Sequence, residues 1–348
     1  MKKRFNILVL MHDFLVPKKR TSTRGRLNRD KTPWITEYDV LKALKDLGHR
    51  AFPFGLSDDL NKLDQAIHEI NPNLIFNMVE TFRGDRLYEP HLASFLELKG
   101  IPYTGCNPRG LTLARDKGLA KKILHYHQLP TPKFFISMRG TNPTKKDINE
   151  LKYPLIVKCL SEESSYGLSQ SSIVKNNKQL LERIDYIHRK LQTDAIIEEF
   201  IIGRELSVGI LGNERLEALP VCEVTFNKSN EPLNEIYTPS AKWNPKYQKK
   251  KGIKSKKAKL EELEEKYIQK IALKSFKELK LNGYARLDIR LGQDGTPYII
   301  EINPNPGITA DCEFARAAKW GGIDYPSLIE KILYLGLHFH PQCHLGAA

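Results

Sequence analysis

From Phe5 onward the chain alternates between two hydrophobic periods. "FNILVLM" (Phe5–Met11), "HRAFPF" (His49–Phe54) and "NLIFNMV" (Asn73–Val79) are apolar runs of strand length. Between the first two, "TEYDVLKALKDLG" (Thr36–Gly48) is apolar at helical spacing, with Thr36 placed as N-cap and Gly48 as the stop. "YEPHLASFLELKG" (Tyr88–Gly100) reads as a helix, followed by the extended "IPYTG". A single helix is expected over "LTLARDKGLAKKILHYHQLP" (Leu111–Pro130), stopped by Pro130. Repeated strand–helix units predict an open parallel sheet.

Beyond Pro130 the pattern changes. "YPLIVKCL" (Tyr153–Leu160) and "SSIVKN" (Ser171–Asn176) are strands flanking the polar loop "SEESSYGLSQ". A helix over Asn177–Gln192 leads to the strand "DAIIEEFI" (Asp194–Ile201). In "RELSVGILG", Leu206, Val208 and Ile210 alternate with Glu205, Ser207 and Gly209, and "NERLEALPVCEVTF" continues an antiparallel sheet through a Gly212-Asn213 turn. "LEELEEKYIQKIALKSFKELKL" is a long helix whose acidic start and basic end suit its dipole.

The last strand pair, "ARLDIRLGQDGTPYIIEINPNPG" (Ala285–Gly307), carries the most chemistry. Asp294-Gly295 reads as a two-residue type I′ turn. Paired numbers then sum to 589, setting Asp288 opposite Glu301, Arg286 opposite Asn303, Leu287 opposite Ile302 and Ile289 opposite Ile300. One face is apolar and the other gathers Arg286, Asp288, Glu301 and Asn303. Carboxylates about 5 Å apart repel unless neutralised, and a hard divalent cation with oxygen ligands does that. A solvated hairpin face with an Arg–carboxylate pair would show the same four residues.

Composition narrows the classes. With 348 residues, 41% hydrophobic and 28% charged, the chain has the make-up of two or three globular domains. The apolar run after "MKKRF" is short and broken by Asp13, which reads as a first strand, not a signal peptide, and no run reaches membrane-spanning length. Five scattered cysteines fit reduced thiols in a cytoplasm. Much of the net charge of +14 is local: Lys18–Lys31 holds seven basic residues and one acid, and Lys242–Lys259 nine lysines and no acid. Such runs read as mobile solvated loops, or as attractors of an anionic or peptide-like substrate. No aromatic-interleaved nucleic-acid motif accompanies them. The tail's His338, His340, Cys343 and His344 are spaced too irregularly to define a zinc site.

Four landmarks in order, "LELKGIPYTGCNPRGLTLARDK", "LIVKCLSEESSYGLS", "IIEEFIIGREL" and "ARLDIRL…GTPYIIEINPNPG", resemble the ATP-grasp superfamily, and within it the D-alanine–D-alanine ligase branch. The resemblance covers nearly the whole chain. It implies an α/β (α+β ATP-grasp) fold: an N-terminal open parallel α/β domain (1–111), a central lobe with a phosphate lid (112–195) and a C-terminal lobe with a metal-binding hairpin (196–348), the two lobes clamping ATP. It implies phosphate contacts from Lys117, Lys158 and the lid serines Ser164 and Ser165. Glu198 and the backbone at Phe200 and Ile201 would meet the adenine edge, and Glu205 the ribose hydroxyls. Asp288, Glu301 and Asn303 would hold two Mg²⁺ ions (or Mn²⁺), with Arg286, Ser165 and Lys242 assisting catalysis. The implied activity is ATP-dependent joining of a carboxylate donor to an amine acceptor, small-molecule or peptide, through an acyl phosphate. A homodimer is a further implication.

The chain also departs from that branch. Its first strand runs into "MHDFLVPKKRTSTRGR" instead of a glycine-rich start, leaving Glu37 as the candidate for a donor's ammonium group. Glu163 stands where the lid has a glycine, "NMVETFRGD" replaces a histidine-glycine motif, and Cys312-Glu313 replaces a serine-leucine pair that binds the acceptor carboxylate. Two other classes remain open: a kinase that stops at phosphoryl transfer, and a non-catalytic nucleotide- or nucleic-acid-binding protein.

Overall fold

A computed structural model describes residues 3–18, 28–160, 167–226, 233, 238, 241, 242 and 244–339. Ser164, Ser165, Glu163 and most of the tail's histidines and cysteine lie outside them.

Each apolar run becomes a strand, and the strands sort into three sheets. The first holds β1 (Asn6–His12), β2 (Arg50–Leu56) and β3 (Leu74–Asn77), parallel and ordered β2-β1-β3. All of β3 and the centre of β1 are buried, because helices cover both faces. The second is antiparallel: β4 (Phe134–Ser137), β5 (Leu155–Cys159), β6 (Ile173–Val174) and β7 (Ala195–Glu199), ordered β4-β7-β5-β6. The third is β8 (Gly203–Gly212), β9 (Leu216–Ala218), β10 (Cys222–Phe226), β11 (Ile253–Lys257), β12 (Gly283–Gly292) and β13 (Pro297–Pro304). Its order is β11-β10-β8-β12-β13, with β9 on β8.

The apolar cores do not follow the chain order. Leu8, Leu10 and Ile75 of the first sheet share a core with Leu206, Val208, Leu287 and Phe276. On the other face Ile7, Val9 and Phe76 pack with Tyr284, Phe314, Ile329 and Leu333. The C-terminal helix Tyr325–Leu337 thus returns to the N-terminal sheet. The second sheet has a core of its own, built on Leu155, Val157, Leu180, Ile184 and Ile197.

Several local expectations change. The helix expected over Leu111–Pro130 is two, Pro108–Arg115 and Lys117–Tyr126, broken at Asp116, whose extended ψ of 97° lets its carboxylate cap the second helix at Leu119 N. Thr36 is not an N-cap: the first helix begins at Ile35 with Trp34 before it, and Thr36 Oγ1 instead lies 2.7 Å from Thr309 Oγ1. A helix at Leu60–Ile70, capped by Asp59, was not anticipated. The run Lys242–Lys259, expected as a mobile loop, contains the helix Pro245–Lys251 and the edge strand β11. Lysines on an exposed edge suit that place, since they discourage further strand pairing. No helix among the described residues is long and apolar enough to cross a membrane.

Candidate active site

The hairpin β12–β13 pairs Asp288 with Glu301 and Arg286 with Asn303, as the alternation requires. Nearer the turn the register is different. Gly292 N donates to Thr296 O (2.9 Å) and Gly295 N to Gly292 O (3.0 Å), so three residues form the loop. Of Asp294 and Gly295 only the glycine takes a positive φ, 77°. The Asp294 carboxylate accepts from Thr296 N and Oγ1, which favours a type I turn followed by a left-handed glycine over type I′. Ile289 therefore faces Ile299, not Ile300, and a bulge between Asp288 and Ile289 restores the sum of 589 at the charged residues.

Arg286 grips Asp288 with two bonds, Nε to Oδ1 (2.7 Å) and Nη2 to Oδ2 (3.0 Å). Asn303 Nδ2 donates to Asp288 Oδ2 (3.0 Å), which presents its amide oxygen as a further donor atom. Across the seam Lys117 Nζ lies 3.1 Å from Glu301 Oε1. Burial opposes ionisation of Glu301, but Lys117, Lys242 and Lys158 outweigh it and hold the carboxyl at about 2. Three cations from separate parts of the chain thus converge on one hairpin carboxylate. Asp288, Glu301 and Asn303 offer hard oxygen ligands on one patch, the set that Mg²⁺ takes.

Glu198 is placed differently from the expectation. It is 1% exposed and turned inward, 2.6 Å from Lys158 and 2.9 Å from Lys121. Burial pushes its carboxyl up, yet the two ammonium groups bring it down to about 2. Two neighbouring ammonium groups in an apolar setting need a counterion, and Glu198 supplies it. Lys121 is a residue that sequence reasoning missed. The helix restart at Asp116 puts Lys117 in the first turn and Lys121 one turn later on the same side. An added Cβ at Gly118 would meet Ile136 Cδ1 at 2.4 Å, so this helix lies close on β4.

In the stretch resembling an adenine hinge, Phe200 N is committed to Pro154 O (2.9 Å), so Phe200 can meet a base edge only through its carbonyl. Glu205 Oε2 lies 2.6 Å from Arg290 Nε. Asn305, also missed, takes a φ of 51° and joins the hairpin to the N-terminal unit. Its Oδ1 accepts from Cys106 N (2.8 Å) and its Nδ2 donates to Glu89 (2.9 Å), which also pairs with Arg115. Glu37 is 5% exposed and its Oε2 has no hydrogen-bond partner among the described residues. Burial, reinforced by Glu80, pushes its carboxyl up to about 7. Cys312 caps the helix Glu313–Trp320 and donates its thiol to Gly307 O (3.0 Å).

The chain is similar to known proteins over most of its length. The family model "D-ala D-ala ligase C-terminus" matches residues 123–334. A D-alanine–D-alanine ligase of Pelotomaculum thermopropionicum is 32% identical over 323 residues, covering 90% of this chain and 94% of that one. An uncharacterised protein, y4sG, of Sinorhizobium fredii is 34% identical over 303 residues, covering 84% and 85%. The crystal structure of D-alanine–D-alanine ligase from Bacillus anthracis complexed with ATP superposes with a TM-score of 0.73 at 22% identity, covering 96% of this chain and 97% of that one, which shows the shared fold. The chain belongs to the D-alanine–D-alanine ligase family, and its fold is that of the ATP-grasp enzymes.

Proposed function

We propose that this member of an ATP-dependent carboxylate–amine ligase family makes an amide bond between an amino-acid or peptide donor and an amine acceptor at the β12–β13 hairpin. The observation that carries this reading is the directly opposed Asp288–Glu301 pair, with Arg286 and Lys117 against it and Lys158 and Lys242 within electrostatic reach. Carboxylates so placed suit a site that handles a polyphosphate together with metal ions.

In the proposed reaction an oxygen of the donor carboxylate attacks the γ-phosphorus, the bond to ADP breaks, and an acyl phosphate forms. The acceptor amine then attacks the acyl carbon, loses a proton, and phosphate departs. Lys117 and Lys158 hold phosphate oxygens. Arg286, raised in basicity by Asp288 despite its burial, offers fixed positive charge to the transferring phosphoryl group and the tetrahedral oxyanion. Asp288, Glu301 and Asn303 would hold the Mg²⁺ ions, which, when bound, offset the triphosphate charge that opposes attack by an anion. Glu205 is assigned to the ribose, Phe200 and Ile201 to the base, Ser164 and Ser165 to the lid, and Lys242 to the catalytic set. We place the enzyme in the cytoplasm, consistent with the free, buried Cys106 and Cys222; sedimentation would test a homodimer.

The test is ADP release with Mg²⁺ and pooled amino acids, dipeptides and dicarboxylates, with products read by mass. A new mass equal to two substrates minus water establishes ligation and names both partners. A stable phosphorylated product with no amine requirement would replace ligation by phosphoryl transfer alone.

A further inference from the structure

Arg286, Asp288 and Arg290 stand at alternate positions of β12, so all three side chains leave one face of the sheet. The first two belong to the phosphate and metal end. Arg290 is 6% exposed and has no part in the assignments above. It sits directly opposite Glu205 in the β8–β12 ladder, in a register unbroken from Gly283↔Gly212 to Gly292↔Gly203.

Its guanidinium contacts the segment Phe200–Glu205 at three points. Nε lies 2.6 Å from Glu205 Oε2. Nη1 donates to Gly203 O (3.0 Å). The planar group lies over the Phe200 ring, 5.1 Å from its centroid, within cation–π range. Gly203 itself admits no side chain, since an added Cβ would stand 1.9 Å from Leu291 O. The stretch that passes from the second sheet into the third is therefore pressed onto β12 and pinned by one residue at a ring, a carbonyl and a carboxylate. Lysine has neither the planar fork nor the stacking face to reproduce this.

We infer that Arg290 is the positioning residue of the nucleoside end of the site: it fixes the Glu205 carboxylate for the ribose hydroxyls and the Phe200 segment for the base. This rests on the ligase reading above. Arg290 touches neither phosphate nor metal in this scheme, so its loss acts on nucleotide recognition and not on the chemical step.

Calorimetric binding of Mg·ATP and Mg·2′-deoxy-ATP to the full chain tests this, with the wild type beside Arg290→Met, Arg290→Lys and Glu205→Gln. The wild type is expected to prefer ATP about tenfold, the worth of a charged hydrogen bond to one hydroxyl. Arg290→Met should lose most of that preference, matching Glu205→Gln, while Arg290→Lys keeps part of it. The ratio is internal to each protein, so general loosening of the fold weakens both ligands and leaves it in place. An unchanged ratio in Arg290→Met, or no preference in the wild type, overturns the inference. If those same proteins still form amide product, the ligase reading stands without it; failure of the wild type to bind either nucleotide removes both.

Discussion

Lys117 Nζ meets Glu301 Oε1 at 3.1 Å, joining the first turn of a helix to the hairpin strand β13. The two side chains are only 10% and 20% exposed, so each needs the other's charge. Lys117→Met should lower the unfolding free energy by about 1–3 kcal/mol, less than for a fully buried pair. It should also raise the KM for ATP by at least about tenfold through loss of a phosphate contact. Urea titration and steady-state kinetics measure the two effects. An unchanged KM would remove Lys117 from the nucleotide site.

Glu198 serves two lysines, so its loss is the more severe. Glu198→Gln leaves Lys121 and Lys158 without a buried counterion and should cost about 3 kcal/mol or more. The pH dependence follows from the depressed carboxyl, about 2 in the fold against an ordinary 4.5. Its stabilisation is complete above pH 4.5 and fades as pH falls toward 2. Acid titration of the two proteins should therefore converge. A constant gap between them down to pH 2 would contradict this account.

Glu37 has the opposite sign. Its carboxyl rises from 4.5 to about 7, so the folded chain keeps a proton that the unfolded chain releases. Stability from this group is complete below pH 4.5 and declines as pH rises through 7. Between pH 5 and 8 the wild type should lose about 1–3 kcal/mol relative to Glu37→Gln. Parallel denaturation curves at the two pH values decide it.

Asp288→Asn and Glu301→Gln should each reduce ADP release at least about a hundredfold while the fold survives, because each removes charge that the phosphoryl step uses. Circular dichroism beside the turnover assay separates these outcomes. Full activity in either protein would move the chemistry away from this hairpin.

The fold was legible where a pattern is local. Apolar runs such as Phe5–Met11 and the alternation of Leu206, Val208 and Ile210 are set by which side faces a core. The opposition of Asp288 and Glu301 came through although the turn was misread, because the added loop residue and the bulge offset one another. Side-chain choices were not legible: Asp294 bonding Thr296 set the turn, and Asp116 leaving helical geometry set the split. Lys121 carried a signal, one helical turn from Lys117, as did Arg290, two residues beyond Asp288. Glu198 turning inward carried none, since it depends on two lysines meeting from different elements.

The way the cores are shared has a mechanical consequence. The first and third sheets are welded through two common interiors, and the C-terminal helix closes the weld. The chain enters and leaves the second sheet beside that anvil: Ile299 N donates to Pro130 O (2.8 Å) ahead of β4, and Arg290 Nη1 donates to Gly203 O where β7 has passed into β8. Lys158 and Glu198 sit on the sheet with its own core, while Arg286 and Asp288 belong to the shared one, so the positive charge around Glu301 is assembled from two separately cored parts of the chain.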